Sequence, residues 1–374
     1  MFQHNRLSSE LTFFQKIKNL DYILLFSILL LSVISVFVMY STDNGEILYH
    51  TKSHFLKLLI FFPLMLIISF FNIKFWHVTS YFFYFIVILL LIWVSVYGVK
   101  ASGSQRWINL YLIVLQPSEL MKIAVILCLA KYYHRLKVES VNSFMNIVIA
   151  LTIIIIPIIL VLSQPDLGTS ILIALSGLII LWLGGVRIKY FFISFVTFLI
   201  SLPFVISILK PYQKLRILTF LDPDRDPLGA GYQIIQSKIA IGSGGLSGKG
   251  FLKGTQSYLE FLPEKHTDFI FTLFSEEFGF FGSIFLLIIY TIIIIRIIRI
   301  GIISRSNFSK FFCFGFAFAN FIYVVVNLSM VLGLLPIVGS PLPIMSYGGS
   351  SMLASMIGFG IVLSAKINNK QTIA

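Results

Sequence analysis

Residues 262–295 read "LPEKHTDFIFTLFSEEFGFFGSIFLLIIYTIIII". Four ionisable side chains, Glu264, Lys265, His266 and Asp268, stand directly in front of an apolar run that continues to residue 295. A run of this length exceeds the roughly 17–25 residues that a helix needs to cross a bilayer. The stretch therefore reads as a membrane helix entered through a polar lip, and it sets the reading of the rest. The chain has 374 residues, 58% hydrophobic and 11% charged. A soluble domain carries about 25% charged residues, so this chain has too few to meet water over its whole surface.

Similar apolar runs recur from one end to the other. They predict about ten spans, at 22–41, 55–73, 81–99, 117–134, 145–163, 168–185, 190–209, 269–295, 310–332 and 347–365. The fold class expected is an all-α polytopic membrane protein forming a single membrane domain over 1–374. The first run lacks a small-residue cleavage site and reads as a retained span, not a signal peptide. Cys128 and Cys313 both fall inside apolar runs, with no metal-ligand spacing, and read as buried small hydrophobes.

The net charge of +13 could suggest nucleic acid, but its placement argues for topology. The N-terminal arm has Arg6, Lys16 and Lys18. Alternate loops then carry Lys74; Lys131, Arg135 and Lys137; Arg187 and Lys189; Arg296, Arg299, Arg305 and Lys310; the tail has Lys366 and Lys370. The intervening loops at 42–54, 164–167 and 333–346 hold one basic residue, Lys52. Lys and Arg concentrate on the cytoplasmic side. Both termini are thus expected in the cytoplasm, with no nucleic-acid partner. Segments 100–116 and 210–268 fall outside, the second as one large extracytoplasmic loop between the seventh and eighth helices. A loop that long is functional or disordered. Its "YQIIQSKIAI" (232–241) predicts a short helix, lying along the interface or packed on the bundle.

Several loop motifs carry polar groups. "GSGGLSGKG" (242–250) fails the phosphate-loop pattern, because Ser243 stands where the first glycine is needed and Gly250 follows Lys249. It reads as a flexible turn, or as amides and Lys249 contacting a phosphate-bearing headgroup. In "QPSELMK" (116–122), Glu119 and Lys122 share one helix face. A charge inside a membrane helix costs about 2.5–3.5 kcal/mol on insertion scales, so the two either pair structurally or line a wet cavity. Asp166 in "QPDLGTS" (164–170) suits a helix start and equally an acidic group facing the outer cavity. "GLLPIVGSPLPIMSYGGSS" (333–351) has three prolines and no charge. Broken backbone of this kind is tolerated at membrane depth only where protein buries it or where it lines a cavity. Ser346, Tyr347, Ser350 and Ser351 add hydroxyls there. Thr267 or Asp268 can cap the eighth span.

Taken together, "SQRWINL…QPSELMKIAV", "QPDLGTS", "FLDPDRDPLGAGYQIIQSKIAIGSGGLSGKG", "LPEKHTDFIF" and "GLLPIVGSPLPIMSYGGSS" resemble the SEDS family (shape, elongation, division and sporulation). The likeness runs from about the first span to the last, and "LPEKHTDF" with "GLLPIVGSPLP" leans to the rod-elongation branch over the division branch. The resemblance implies a peptidoglycan glycosyltransferase of the bacterial cytoplasmic membrane. Such enzymes join lipid II units at the outer face. The acceptor GlcNAc 4-hydroxyl attacks the anomeric carbon of the donor MurNAc, undecaprenyl diphosphate leaves, and the new β-1,4 bond forms with inversion. The family's essential aspartate falls on Asp268, the expected general base for the acceptor hydroxyl. Glu119, Asp166, His266 and Ser346 are expected to bind substrate beside it. Cations able to neutralise the leaving diphosphate are Arg106, Lys122, Arg216, Lys238 and Lys249. No cofactor is expected beyond a divalent cation at the diphosphate, for which no ligand set is evident. The implied partner is a class B penicillin-binding protein.

Two other readings fit the same composition. A lipid II flippase or other transporter would also have broken helices and an internal ion pair, although no internal repeat is evident. A non-catalytic scaffold for cell-wall enzymes would not need Asp268.

Overall fold

A computed structural model of the chain describes residues 11–101, 104–109, 114–208, 211–222, 229–255 and 262–373. Its helices are α1 (Phe13–Lys18), α2 (Tyr22–Thr42), α3 (Tyr49–Phe70), α4 (Ile73–Tyr97), α5 (Pro117–Arg135), α6 (Phe144–Ser163), α7 (Leu167–Leu183), α8 (Ile188–Ile208), α9 (Pro211–Leu221), α10 (Ala230–Gly244), α11 (Ile270–Ile303), α12 (Asn307–Val331) and α13 (Gly349–Ile367). The ten predicted spans fall on α2 to α8 and α11 to α13. Seven of these, α2, α3, α4, α6, α11, α12 and α13, are long and apolar enough to cross a membrane; α7 and the apolar part of α8 (Ile188–Ser201) are shorter.

The remaining helix, α5, departs for a physical reason. It carries Glu119, Lys122, Lys131 and Arg135, yet every residue from Pro117 to Lys131 is buried. A helix buried on all faces is a core helix, and α5 packs against α4, α7, α12 and α13. Its charges are met inside the bundle. Lys122 Nζ lies 2.6 Å from Glu119 Oε2 and sits over the Tyr323 ring at 3.8 Å. Lys131 Nζ donates to the Val78 carbonyl at 2.8 Å.

At one end of the bundle Asp21 caps α2, accepting from the Leu24 amide at 3.0 Å. The same carboxylate receives a forked pair from Arg296, Nε at 3.1 Å and Nη2 at 2.6 Å. That bidentate geometry is the strong form of the ion pair. It pins α2 to the lower part of α11. The segment expected outside after the third span is not helical. It forms a small antiparallel sheet of β1 (Val99–Ala101), β2 (Ser104–Asn109) and β3 (Val114–Leu115), in that order. Val99 pairs with Trp107 and Ile108 with Leu115. The all-α expectation missed it because strands this short carry no periodic signal of their own.

Helix α11 is broken at Gly279, whose φ of 64° and ψ of −160° leave the helical region. A break there strands the carbonyls of Glu276 and Glu277 and the amides of Phe280 and Phe281. All four are repaired by the glycine-rich segment after α10. Lys249 and Gly250 amides donate to the Glu276 and Glu277 carbonyls, each at 3.0 Å, and the Phe280 and Phe281 amides donate to Gly245 and Leu246 at 2.9 and 3.1 Å. Unpaired backbone groups cannot be left in lipid, so the segment and the break require each other. The fit is close. A Cβ on Gly248 would lie 2.0 Å from the Glu277 carbonyl oxygen, and one on Gly279 would lie 2.3 Å from the Gly248 nitrogen.

The expected helix within 210–268 is α10. It packs on α11 and α12, with the buried Ser237 hydroxyl 2.7 Å from both Thr272 Oγ1 and the Val331 carbonyl. Cys128 and Cys313 are both buried and free.

Candidate active site

The starts of five helices meet at the opposite end of the bundle from Asp21. Tyr49, Ser53 and Lys57 come from the first turns of α3; Gln116 and Glu119 from α5; Asp166 and Thr169 from α7; Thr267, Asp268 and Phe269 from α11; Gly348 to Ser351 from α13. All line one cavity of about 730 Å³. In an antiparallel bundle every second helix begins at the same end, so the convergence follows from connectivity. Four of the five N-caps, Leu48, Gln116, Phe269 and Gly348, make no side-chain cap bond. At α5, α11 and α13 this leaves N-terminal amides and the positive end of the dipole directed at this end, whereas at α3 the Asp43 carboxylate takes the Thr51 amide at 2.9 Å. Their sum is a region suited to an anion.

Asp166 is the exception among the five. Its Oδ1 accepts from the Thr169 amide at 3.1 Å and its Oδ2 from the Thr169 hydroxyl at 2.9 Å. Gln116 Nε2 adds a third bond at 3.1 Å, and Arg106 Nη1 lies 3.5 Å away. Arg106 also donates Nε to the Gln164 carbonyl at 2.9 Å and Nη2 to the Pro165 carbonyl. Arg106 and Asp166 therefore both reach the cavity, with most of their capacity already engaged in fixing the β2 and α6–α7 walls. Glu119 lines the cavity as well. Lys122 lies deeper, in a small adjoining pocket that shares Glu119, Pro341 and Ser351.

The wall facing Asp268 is the unhelical stretch between α12 and α13. Ile337, Val338, Gly339 and Pro341 line it, as expected for broken backbone beside a cavity. Gly168 allows the close approach of α7, since a Cβ there would lie 2.2 Å from the Val338 carbonyl oxygen. Asn327, fully buried, joins the two sides: its Nδ2 donates to the Asp268 carbonyl at 2.8 Å and to the Ser340 carbonyl at 2.7 Å. Replacing Asn327 with alanine strands two buried carbonyls. The expected cost is roughly 2–4 kcal/mol, read as a lower melting temperature in detergent, with glycan synthesis impaired at temperatures where the variant is still folded.

Ser346 is buried and does not line the cavity. Its Oγ donates to the Thr267 carbonyl at 2.7 Å and accepts from the Leu342 amide at 2.8 Å. The expected substrate ligand thus clamps the turn that carries Asp268. The cap expected from Thr267 or Asp268 is also revised. The N-cap of α11 is Phe269, and the Thr267 hydroxyl turns to Glu264 Oε2 at 2.8 Å.

His266 stands behind the cavity wall. Its Nδ1 is 2.9 Å from Thr42 Oγ1, and its ring stacks on His50 with centroids 3.9 Å apart. Burial, with the neighbouring His50, pushes its imidazolium down to about 4, against the opposing pull of Asp43. Lys238 is exposed on α10, its Cε beside Gly333, and does not line the cavity. Lys249 is engaged elsewhere too, with Nζ 2.6 Å from the buried Glu276 Oε1 and 2.8 Å from Thr255 Oγ1. Its amide and that of Gly250 serve the α11 break, which leaves neither for a headgroup phosphate. Arg216 falls in α9, and its side chain lies outside the described residues.

Sequence reasoning missed Lys57. Its ammonium lines the cavity and rests over the Tyr347 ring at 4.1 Å. Among the described residues no carboxylate lies within ion-pair distance of it. The signal was available, because a lone lysine inside a membrane span asks for a function.

A bundle of apolar helices around a polar cavity at one end defines a polytopic membrane protein. The chain belongs to the FtsW/RodA/SpoVE family of cell cycle proteins, whose model matches residues 18–371. It is 48% identical over 288 residues to the peptidoglycan glycosyltransferase MrdB of Escherichia coli K12, covering 77% of each chain. It is 38% identical over 333 residues to the probable peptidoglycan glycosyltransferase FtsW of Buchnera aphidicola subsp. Schizaphis graminum, covering 86% of this chain and 93% of that one. A solved chain from a peptidoglycan synthase complex, described as coordinating polymerization and crosslinking, superposes with a TM-score of 0.81 at 29% identity. The match covers 94% of this chain and 99% of that one.

Proposed function

We propose that this chain is a peptidoglycan glycosyltransferase that polymerises lipid II into β-1,4 glycan strands at the outer face of the bacterial cytoplasmic membrane during cell elongation. The observation that carries the reading is the cavity itself: Asp268 shares it with Lys57 and with three helix N-termini, those of α5, α11 and α13, whose caps make no side-chain bond. A lipid-linked diphosphate carries two negative charges in the donor and gains a third as it leaves, and dipole ends with a lysine stabilise the charge that develops. The acceptor 4-hydroxyl gives its proton to the Asp268 carboxylate as its oxygen attacks the anomeric carbon. The anomeric C–O bond breaks, and undecaprenyl diphosphate leaves with the bonding pair. One displacement inverts the α-linked donor to a β-linked product.

Both termini are cytoplasmic in this reading, and residues 210–268 form an extracytoplasmic insertion between α8 and the lip of α11. Arg106 and Asp166 shape the substrate-binding wall. The cation placed to meet the diphosphate is Lys57. Lys57→Ala is expected to lower turnover roughly 100-fold with the fold intact, and Lys57→Arg to restore a good part of it. An alanine variant with unchanged turnover would remove Lys57 from the mechanism. The partner is a class B penicillin-binding protein, whose single membrane helix packs on the lipid-facing surface and which cross-links the strands made here.

The deciding experiment is glycan-chain formation from labelled lipid II by the purified protein, with and without that partner. A flippase would move lipid II across vesicle membranes without lengthening any glycan. A scaffold would form no glycan with or without that partner, and would support the partner's cross-linking equally well with Asp268 replaced.

A further inference from the structure

Outside the cavity, three metal-ligating side chains from separate parts of the sequence come together. Asp43 is the C-cap of α2, His50 lies in the first turn of α3, and His266 sits in the turn before α11. One ligand atom from each lies within 4.8 Å of the others. The Asp43 Oδ1 is 3.4 Å from His50 Nδ1 and 4.0 Å from His266 Nδ1. The other carboxylate oxygen is held from behind: Oδ2 accepts from the Thr51 amide at 2.9 Å and from the Thr51 hydroxyl at 2.6 Å. That arrangement turns Oδ1 to the two imidazoles, as outer hydrogen bonds do for ligating carboxylates.

We propose that Asp43, His50 and His266 form a binding site for a divalent transition-metal ion, zinc being the best fit. Two imidazoles and one carboxylate suit Zn²⁺, which takes nitrogen and oxygen ligands at about 2.0–2.2 Å and keeps a fourth position for water when three protein ligands are present. Magnesium and calcium prefer all-oxygen sets and do not suit it. Ligands sharing such an ion stand roughly 3.4 Å apart in tetrahedral geometry. The His50–Asp43 spacing already matches at 3.4 Å, while His266 stands 4.0 Å from Asp43 and has to approach both partners, no ligand pair being more than 4.8 Å apart. The movement falls to the imidazoles, since the His50 side chain is 38% and that of His266 16% exposed while Asp43 is fixed at 3%. The two rings, now stacked, tilt apart to direct both Nδ1 lone pairs at one point. His266 gives up its contact to Thr42, whose hydroxyl already donates to the Met39 carbonyl at 2.6 Å.

The ion ties the α2–α3 connection to the turn bearing Asp268, two residues beyond His266. It is a positioning device, and it does not touch the reacting atoms. That consequence rests on the glycosyltransferase reading; metal binding does not, and its test contains no lipid substrate. The experiment uses untagged full-length protein in detergent, stripped with chelator and then given Zn²⁺ alone. Equilibrium dialysis with metal analysis is expected to find one Zn²⁺ per chain, undisturbed by excess Mg²⁺. His50→Ala and Asp43→Asn are expected to bind at least about tenfold more weakly and to lose the rise in melting temperature that Zn²⁺ gives the wild type. Sub-stoichiometric zinc in the wild type, or undiminished binding by His50→Ala, overturns the proposal. Should the variants fail to fold, Co²⁺-loaded wild type decides: a visible d–d band of nitrogen and oxygen ligation supports the site, and its absence overturns it.

Discussion

Asp268→Asn is expected to reduce glycan synthesis from lipid II by roughly 10²–10⁴-fold, the range assigned to a positioned general base. Asparagine keeps the size and hydrogen-bonding shape of the side chain but cannot accept the hydroxyl proton. The Asp268 carbonyl held by Asn327 is backbone and survives the change. The variant should therefore melt close to the wild type and still bind its partner, so that loss of activity is separated from loss of fold. The partner's own cross-linking of preformed strands provides the internal control. Substantial residual polymerisation by the folded variant would remove Asp268 from the chemistry. The cavity would then be left with Glu264 as the acid group nearest in sequence, the obvious next substitution.

The largest expected effect on stability lies at Gly279. Its φ of 64° is a left-handed value that alanine adopts only with strain, and the space for a Cβ is taken by backbone of Gly248 at 2.3 Å. Side chains can rotate aside; a strand of backbone amides engaged in four hydrogen bonds cannot. Gly279→Ala should either expel the glycine-rich segment or straighten α11, and each leaves polar backbone unmatched. The cost is expected to be roughly 3–5 kcal/mol, at the upper end for single substitutions. It would appear as a large drop in melting temperature and in the yield of monodisperse protein. Gly245→Ala provides the contrast. Its φ is also positive, but nothing lies within 4 Å of the added Cβ, so the strain is present without the collision and the loss should be smaller. Equal melting temperatures for wild type and Gly279→Ala would refute the interlocked geometry.

The helices were legible because lipid imposes a length and a polarity that hydropathy reads directly. Their ends were less so. Helix α3 begins at Tyr49, six residues before the apolar run, because "YHTKSH" is helical without being apolar. Helix α11 continues to Ile303 through Arg296 and Arg299, since a cationic side chain ends a hydrophobic window without ending a helix. The same gap hid part of the site, because Tyr49 and Ser53 lie on the polar start of α3 ahead of the predicted span. Glu119, Asp166 and Asp268 stand out in an apolar chain as carboxylates at loop–helix junctions, and with Arg106 of β2 all three line one cavity. Lys249, Lys238 and Ser346 were assigned by residue type, and type does not fix direction. Lys249 is committed to Glu276, 27 residues on. The two glutamates inside the apolar run of α11 find partners within the fold, Glu276 in Lys249 and Glu277 in the Ser41 hydroxyl.

The repair of α11 also bears on how the protein is made. Residues 245–250 leave the ribosome before residues 276–281, so the patch exists when the damaged helix first needs it. A chain rearranged to synthesise α11 ahead of its glycine-rich companion would present the insertion machinery with a ruptured segment and nothing to mend it. Biogenesis, and not only the finished architecture, thus constrains the order in which these two pieces can follow one another in the gene.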